Sequence, residues 1–312
     1  MPGRFDQIAR RLFGQEDSVD QQKQIDRLTK LVERVLSNQK QDEKWRMIFR
    51  RQLNALIRRD CIADGDLAGP HALAARRFRL RSQNEEDGLV LALLHACGVA
   101  TRRFVEIGCG RSGGNSAVLA HEFGWGGLMV DASKKAIHQL RFELRANSRV
   151  DVVRAHVTPD AFDDLLREHG YTGEVDLLSI DIDSWDYWVL ESLTAASPRL
   201  LVMEYNALFG PERAVTVPRG PMPDGAPKGY SGASLAALEK LARRKGYRLV
   251  ICEDAGVNAF FLRDDLAPEI PGLTAAQAYR PILDKYDVHD RRPKNIEIEK
   301  LVAERGLPLV EV

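Results

Sequence analysis

Five short apolar segments that alternate with helical segments constrain the fold of this chain more than any other feature. The pattern begins after Arg103, and the apolar segments cover 104–107, 127–130, 149–153, 175–180 and 199–203. Helices are predicted between them near 115–123, 133–146, 160–169 and 185–195. Strands that alternate with helices form a parallel sheet with helices on both faces. The middle of the chain is therefore predicted to be a doubly wound α/β domain.

Two further strands, Tyr247–Glu253 and Asn258–Arg263, follow a helix predicted over 231–245 with Ser231 as its N-cap. Only the residues 254–257 connect them, which is too short for a crossover and predicts an antiparallel hairpin. The sequence thus predicts a Rossmann-like, seven-stranded, mostly parallel sheet that ends in a hairpin.

The first 60 residues have a different pattern. Residues 18–59 contain no Gly and no Pro, which predicts a long helix. Ile25, Leu28, Val32 and Val35 recur at alternating spacings of three and four, as in a coiled coil. Such a helix packs either on its own domain or on a second copy of itself, and the a/d pattern favours self-association into a dimer or tetramer.

Three regions follow from these patterns. They are an N-terminal helical oligomerisation segment (1–62), the α/β domain (63–267) and a C-terminal tail (268–312). The tail is predicted to hold two short helices, 274–286 and 296–305.

Composition excludes several classes of protein. The 312 residues include 45 basic and 45 acidic ones, and a net charge of zero argues against general nucleic-acid binding. The longest apolar stretch, Leu89–Ala100, is too short to span a bilayer. The four cysteines form no CxxC pair and indicate reduced thiols. We expect a cytoplasmic protein without a membrane span.

A glycine-rich turn follows the first strand as Glu106-x-Gly108-x-Gly110, and Asp131 ends the second strand. This pattern suits a dinucleotide or S-adenosylmethionine (SAM), because Asp131 can bind a ribose in either. Glu106 suits the cationic SAM and would repel a pyrophosphate, and the closing hairpin also favours SAM. The predicted cofactor-binding residues are Glu106, Gly108, Gly110, Ser112, Asn115, Asp131 and Asp181.

Several motifs together resemble a known family. They are Ser82-Gln83-Asn84-Glu85-Glu86-Asp87-Gly88, Phe104–Gly108, Ser179–Asp183 with Asp186-Tyr187-Trp188, Glu204-Tyr205-Asn206, and Gly256–Phe261. Over about 78–264 the chain resembles class I SAM-dependent methyltransferases of the FkbM-like group. It departs from the group's pattern at Glu85 and at Ser184-Trp185. The resemblance implies methylation of oxygen on sugars and secondary metabolites.

Polar side chains gather where the fourth and fifth predicted strands end. Asp181, Asp183, Glu204 and Asn206 are expected at one edge of the sheet, facing the ligand crevice. This arrangement is similar to that of catechol O-methyltransferases, and Asp181, Glu204 and Asn206 are candidate Mg²⁺ ligands. Alternatively, Asp181 and Asp183 contact cofactor and substrate directly while hydrogen bonds hold Glu204.

The predicted catalytic residues are Asp183 as general base, Asp181 and Glu204. The predicted substrate-binding residues are Tyr205, Asn206, Asn258 and Asp186. The predicted function is SAM-dependent O-methylation of a sugar or glycan hydroxyl. The alternatives are a methyltransferase for a phenol or amine of secondary metabolism, and a SAM-binding scaffold without catalysis.

The N-terminal pattern gives a prediction that is independent of the family. Deleting residues 1–40 should lower the mass in solution to that of a monomer or a smaller assembly, because it removes the aliphatic seam, while SAM binding persists. Light scattering measures both masses. A full-length chain that is monomeric at micromolar concentration would contradict self-association.

Overall fold

The structure is a computed structural model that describes residues 72–224, 226, 227, 229–281 and 298–312. These residues belong to one compact unit, Cys61–Val312. The predicted N-terminal helix and its oligomerisation seam lie outside the described residues, as does most of the second half of the helix predicted over 274–286.

The described residues contain nine strands, rich in Val, Leu, Ile and Phe, as β-propensity favours. They are Arg103–Ile107 (β1), Gly126–Asp131 (β2), Val150–Arg154 (β3), Gly173–Ile180 (β4), Ala196–Glu204 (β5), Val215–Thr216 (β6), Tyr247–Cys252 (β7), Asn258–Arg263 (β8) and Val310–Glu311 (β9).

Seven of these strands form one sheet in the order β3-β2-β1-β4-β5-β8-β7. The pairs from β3 to β5 are parallel, whereas β8 runs antiparallel to both β5 and β7. The order reverses at β1, which opens a crevice between the carboxyl ends of β1 and β4. The predicted Rossmann-like, seven-stranded, mostly parallel sheet with its closing hairpin is confirmed.

The α-helices of the described residues flank this sheet. They are Glu86–Cys97 (α1), Ala117–Glu122 (α2), Lys134–Glu143 (α3), Phe162–Glu168 (α4), Asp186–Ser192 (α5), Leu235–Arg244 (α6), Ala275–Ala278 (α7) and Ile298–Glu304 (α8). Among the described residues, no helix combines the length and the apolarity that crossing a membrane requires.

The N-cap of α6 differs from the prediction. Ser234 caps this helix, and its hydroxyl accepts a hydrogen bond from the Ala237 N–H. The predicted cap, Ser231, instead offers its backbone carbonyl to the Asn206 amide. Ser231 therefore belongs to the loop before the helix, and α6 begins one turn later than predicted.

The hydrophobic core lies between the sheet and the helices. Val105, Leu128, Leu178 and Leu201, from four adjacent strands, are fully buried in one apolar cluster. Their complete burial on central strands is typical of a parallel sheet covered on both faces. This rigid layer fixes the loops at the carboxyl ends of the strands.

A second, two-stranded sheet lies in the connection between β5 and α6. Its strand β6 pairs antiparallel with β9, near the end of the chain. The Val312 N–H donates to the Ala214 carbonyl, and the Tyr230 hydroxyl donates to the Pro308 carbonyl. Residues 308–312 therefore hold the connection after β5 in place.

Candidate functional site

A cavity of about 400 Å³ lies at the carboxyl ends of β1, β2 and β4, within the ~300–1,000 Å³ range of ligand pockets. Most of its lining comes from the turns after these strands. The lining residues are Gln83, Ile107, Gly108, Cys109, Gly110, Ser112, Gly114, Asn115, Val130, Asp131, Ala132, Ala155, His156, Val157, Asp181, Ile182, Asp183, Ser184 and Asn258.

The prediction brought many of these residues together but missed others. Gln83, Ala155, His156, Val157 and Ser184 line the cavity without having been predicted as site residues. Two features of the sequence could have indicated them: Gln83 lies in the motif 82–88, and residues 155–157 directly follow the strand β3 at the edge of the sheet where the cavity lies.

Gly108 makes the closest approach in the site. A Cβ there would lie 1.5 Å from the backbone oxygen of Asp181, and its φ is +83°. The Asp181 N–H also donates to the Ile107 carbonyl at 2.9 Å. Only glycine meets both demands, so the turn after β1 and the loop after β4 can share one cavity.

Asp131 lies half-buried at the end of β2. Its Oδ2 accepts a hydrogen bond from the Gly110 N–H at 2.8 Å, and its Oδ1 accepts from the Ser133 N–H at 2.6 Å. Each carboxylate oxygen can accept a further hydrogen bond. Asp131 therefore has the free acceptor capacity that binding the two hydroxyls of a ribose requires.

Glu106 corrects a prediction. Its side chain is fully buried and is not part of the cavity lining. Its carboxylate accepts hydrogen bonds from the Asn115 N–H at 3.2 Å, the Ser116 N–H at 2.9 Å and the Ser116 hydroxyl. Burial raises its pKa to about 7. Glu106 anchors the glycine turn and does not contact the cavity where a cofactor cation would lie.

Three carboxylates converge beside the cavity. One oxygen from each of Asp181, Asp183 and Glu204 lies within 4.8 Å of the others. Burial, together with the charge of Asp186, raises the pKa of Asp181 to about 7. Burial and the Asp181 charge also raise the pKa of Glu204. Because the two carboxyl groups lie close together and are shielded from water, one proton between them is favoured.

Asp183 is the exposed member of this group, and its backbone is strained. Its φ of +57° is uncommon for a residue with a Cβ. Asp186 holds this conformation, because its carboxylate accepts hydrogen bonds from the N–H groups on either side, Ile182 at 2.8 Å and Ser184 at 3.1 Å. Backbone strain that the surroundings enforce is frequent at functional sites.

Asp186 was predicted to bind substrate, and the structure corrects this. Its side chain is buried and engaged by the loop 182–184, and burial raises its pKa to about 6. Asp186 therefore fixes the loop that carries Asp183.

Asn206 and Tyr205 also differ from the prediction. The Asn206 amide donates to the carbonyls of Gly229 and Ser231, and its oxygen accepts from the Leu208 N–H. Tyr205 is buried, and its hydroxyl exchanges hydrogen bonds with the backbone of Arg280. Both side chains hold loops in place, and neither is part of the cavity lining.

Comparisons with known proteins give likenesses of fold only. No family model matches the sequence, and no curated protein matches it. The chain is similar to the crystal structure of the N-terminal domain of EvdMO1 with SAH bound, at 15% identity and a TM-score of 0.39, over 62% of this chain and 83% of that one. It is similar to the mitomycin 7-O-methyltransferase MmcR at 17% identity and a TM-score of 0.36, over 71% of this chain and 58% of that one. It is similar to the METTL16 MTase domain at 16% identity and a TM-score of 0.37, over 66% of this chain and 75% of that one.

The close approach of Gly108 yields a prediction with a matched control. Gly108→Ala should lower the melting temperature by about 10 °C or more, because the new Cβ meets the Asp181 backbone at a positive φ. Gly110→Ala also has a positive φ, but no atom lies within 4 Å of its Cβ, so it should cost only about 1–2 kcal/mol. Scanning calorimetry measures the melting temperatures of the two variants. Equal melting temperatures would show that the approach is not as tight as described.

The shared proton predicts a pH dependence of stability. A carboxyl group whose pKa is raised on folding stabilises the fold below its unfolded pKa, and this contribution is lost as pH rises through the folded pKa. For Asp181 that window runs from 3.8 to about 7. The free energy of unfolding should therefore decrease between pH 5 and 8.

Glu204→Gln tests this, because its amide can donate to Asp181 without a shared proton. The decrease should become smaller by about 1–2 kcal/mol, or roughly one pKa unit. Urea unfolding at several pH values measures it, with the exposed Asp164→Asn as control. Identical slopes for wild type and Glu204→Gln would contradict the shared proton.

Proposed function

We propose that the chain is a SAM-dependent O-methyltransferase that acts on a hydroxyl of a sugar or glycan. One observation carries the proposal: a single cavity is lined by a glycine turn, by the carboxylate Asp131 and by the strained, accessible carboxylate Asp183. The turn with Asp131 suits a nucleoside, and Asp183 suits proton removal from an acceptor.

The cofactor would lie across the carboxyl ends of the strands. Asp131 would bind the ribose hydroxyls, and the residues Ala155–Val157, which follow β3, would surround the adenine. The turn from Gly108 to Ser112 would approach the remainder of the molecule. Bound SAM supplies a methyl group on a sulfonium, which is already activated for transfer.

Asp183 would accept the proton of the acceptor hydroxyl. An alcohol is a weak nucleophile at neutral pH and needs such a base. The loop 182–186 fixes Asp183 through the two hydrogen bonds that Asp186 accepts. Holding the acceptor oxygen in line with the methyl group and excluding water would supply the rest of the acceleration.

The polarity of the lining supports a hydroxylated acceptor. Ser184, which follows Asp183 in the chain, adds a hydroxyl group to the cavity lining. Trp185 and Trp188 are half-buried, and their indole N–H groups donate to the carbonyls of Gly220 and Val217. Hydrogen bonds from the lining, together with Asp183, would bind the acceptor hydroxyl.

The carboxylate group also fits a divalent cation, as a second component of this proposal. Asp181, Asp183 and Glu204 offer three hard oxygen ligands within 4.8 Å of one another. A Mg²⁺ ion there would offset their mutual repulsion and lower the pKa of a bound hydroxyl. Asp183 takes the place of Asn206 in the predicted set of ligands, because the Asn206 amide is engaged by loop contacts.

Cofactor binding is tested by calorimetry with SAM and with NAD. SAM should bind and NAD should not, and Asp131→Ala should weaken SAM binding ten- to a hundredfold by removing two charge-assisted hydrogen bonds. Asp151→Ala, an exposed carboxylate on the neighbouring strand β3, is the matched control and should bind SAM normally. Binding of NAD without binding of SAM would refute the proposal.

Catalysis is tested with labelled SAM and a panel of sugar nucleotides and glycans. Asp183→Asn should lower turnover at least a hundredfold, because the amide cannot accept the proton, while the affinity for SAM is unchanged. The surface variant Asp164→Asn is the control. Near-normal turnover by Asp183→Asn would remove it from the mechanism.

The same assay tests the metal ion. If the ion is required, exhaustive chelation should stop turnover and added Mg²⁺ should restore it. Turnover that survives chelation and does not respond to Mg²⁺ would leave only the metal-free role of these carboxylates.

A further inference from the structure

Asn258 presents a buried hydrogen-bond acceptor without a partner. It is the first residue of β8, is 4% exposed and lines the cavity. Among the described residues, four buried side-chain polar atoms lack a partner, on Arg77, Asp87, His121 and Asn258. Only Asn258 among these lines the cavity. A buried carbonyl oxygen without a partner is costly, and a bound ligand that donates a hydrogen bond would remove this cost.

Glu86 fixes the orientation of this amide. The Asn258 Nδ2 donates to Glu86 Oε1 at 3.0 Å. Glu86 is fully buried, and it also accepts from the Asn84 N–H at 2.8 Å and from the Asn84 amide at 3.1 Å. A carboxylate accepts hydrogen bonds, so the amide nitrogen must face Glu86. The Asn258 oxygen therefore points away from Glu86, and it is the atom of this amide that lacks a partner.

A second buried carboxylate fixes the backbone of Asn258. Glu253 accepts hydrogen bonds from the N–H groups of Ala255, Val257 and Asn258, the last at 3.1 Å. Glu253 is fully buried and is not part of the cavity lining. The hairpin turn and the amide of Asn258 are thus held from outside the cavity, which leaves the oxygen preorganised.

The sheet places Asn258 far from the ribose-binding residue. Four strand spacings separate β2, which carries Asp131, from β8, or about 19 Å at roughly 4.8 Å each. A SAM molecule with its ribose at Asp131 and its adenine beyond β2 would point its amino-acid end toward β8. The cavity residues of that end include Asn258 and Gln83.

The amino-acid end of SAM is a zwitterion, with an ammonium and a carboxylate. An amide oxygen can accept from the ammonium without repelling the carboxylate, whereas an aspartate would attract one group and repel the other. Glu106, the predicted partner of the cofactor's cationic end, is engaged by the glycine turn and is not part of the cavity lining.

We propose that the Asn258 side-chain oxygen accepts a hydrogen bond from the ammonium group of SAM, with Glu86 as the positioning residue for its amide. The inference rests on the proposed function, because it requires that SAM bind in this cavity. It assigns the hairpin turn to cofactor recognition and leaves Asp183 to the acceptor.

Two ligands test this with the full-length protein. SAH carries the amino-acid end, and 5′-methylthioadenosine shares its adenosine and thioether but lacks that end. Asn258→Leu, of similar size, should weaken SAH binding about ten- to a hundredfold and leave methylthioadenosine binding unchanged. Calorimetry measures both affinities, and thermal melting confirms that the variant is folded.

Glu86→Gln tests the positioning role, because a glutamine can donate or accept and no longer fixes the amide of Asn258. It should weaken SAH binding severalfold, less than Asn258→Leu, again without an effect on methylthioadenosine. In the double variant, Glu86→Gln should add nothing to Asn258→Leu.

Different results would overturn the role of Asn258 and the proposed function. Unchanged SAH affinity in Asn258→Leu, or an equal loss for both ligands, overturns the assignment of Asn258 while the proposed function stands. A variant that does not fold is replaced by Asn258→Ser, for which the same comparison applies. Failure of the wild type to bind SAH refutes the proposed function, and this inference with it.

Discussion

Gly108 packs against the backbone of Asp181, and the rest of the site depends on this contact. A Cβ at Gly108 would lie 1.5 Å from the Asp181 oxygen, so the turn after β1 and the loop after β4 meet only because the side chain is absent. Glu106 holds the other side of the same turn through the N–H groups of Asn115 and Ser116. Gly114 has to be small as well, since its Cβ would meet the Glu106 carboxylate at 2.1 Å. The turn is thus fixed between two strands, and the cavity is the space that this arrangement leaves.

Buried carboxylates that accept backbone N–H groups recur throughout the domain. Asp87 binds the N–H groups of residues 80–82, and Asp176 binds those of residues 100–102. Glu106, Asp186 and Glu253 do the same for the turns around the cavity. Each carboxylate replaces its hydration by several donors, which reduces the cost of burying its charge. Acidic residues therefore serve two purposes in this domain: these five shape turns, and a smaller group that includes Asp131 and Asp183 lines the cavity.

The sequence predicted the fold well because periodicity determines it. The strand at 258–263 matches the prediction residue for residue, and the first strand differs from it by one residue, since apolar runs bounded by turn residues are strong signals. The individual site roles were less accessible. Asp186, Tyr205 and Asn206 lie at the expected edge of the sheet, yet their side chains bind loop backbone, and sequence position alone does not give the direction of a side chain. Gln83 was missed for a related reason, because the 82–88 motif reaches the cavity only through tertiary packing.

The strand order has a consequence for the order of assembly during synthesis. The outer neighbour of β5 is β8, which begins 54 residues after β5 ends, at Asn258 against Glu204. The exposed edge of β5 thus has no hydrogen-bonding partner until the ribosome has released residue 263. The glycine turn, Asp131 and the loop around Asp183 precede that point, and their strands β1, β2 and β4 are already adjacent. A nascent chain can therefore form the part of its cavity that lies at β1, β2 and β4 first, with an unpaired, aggregation-prone edge beside it. Closure by the hairpin then brings in Asn258 and protects that edge in the same step.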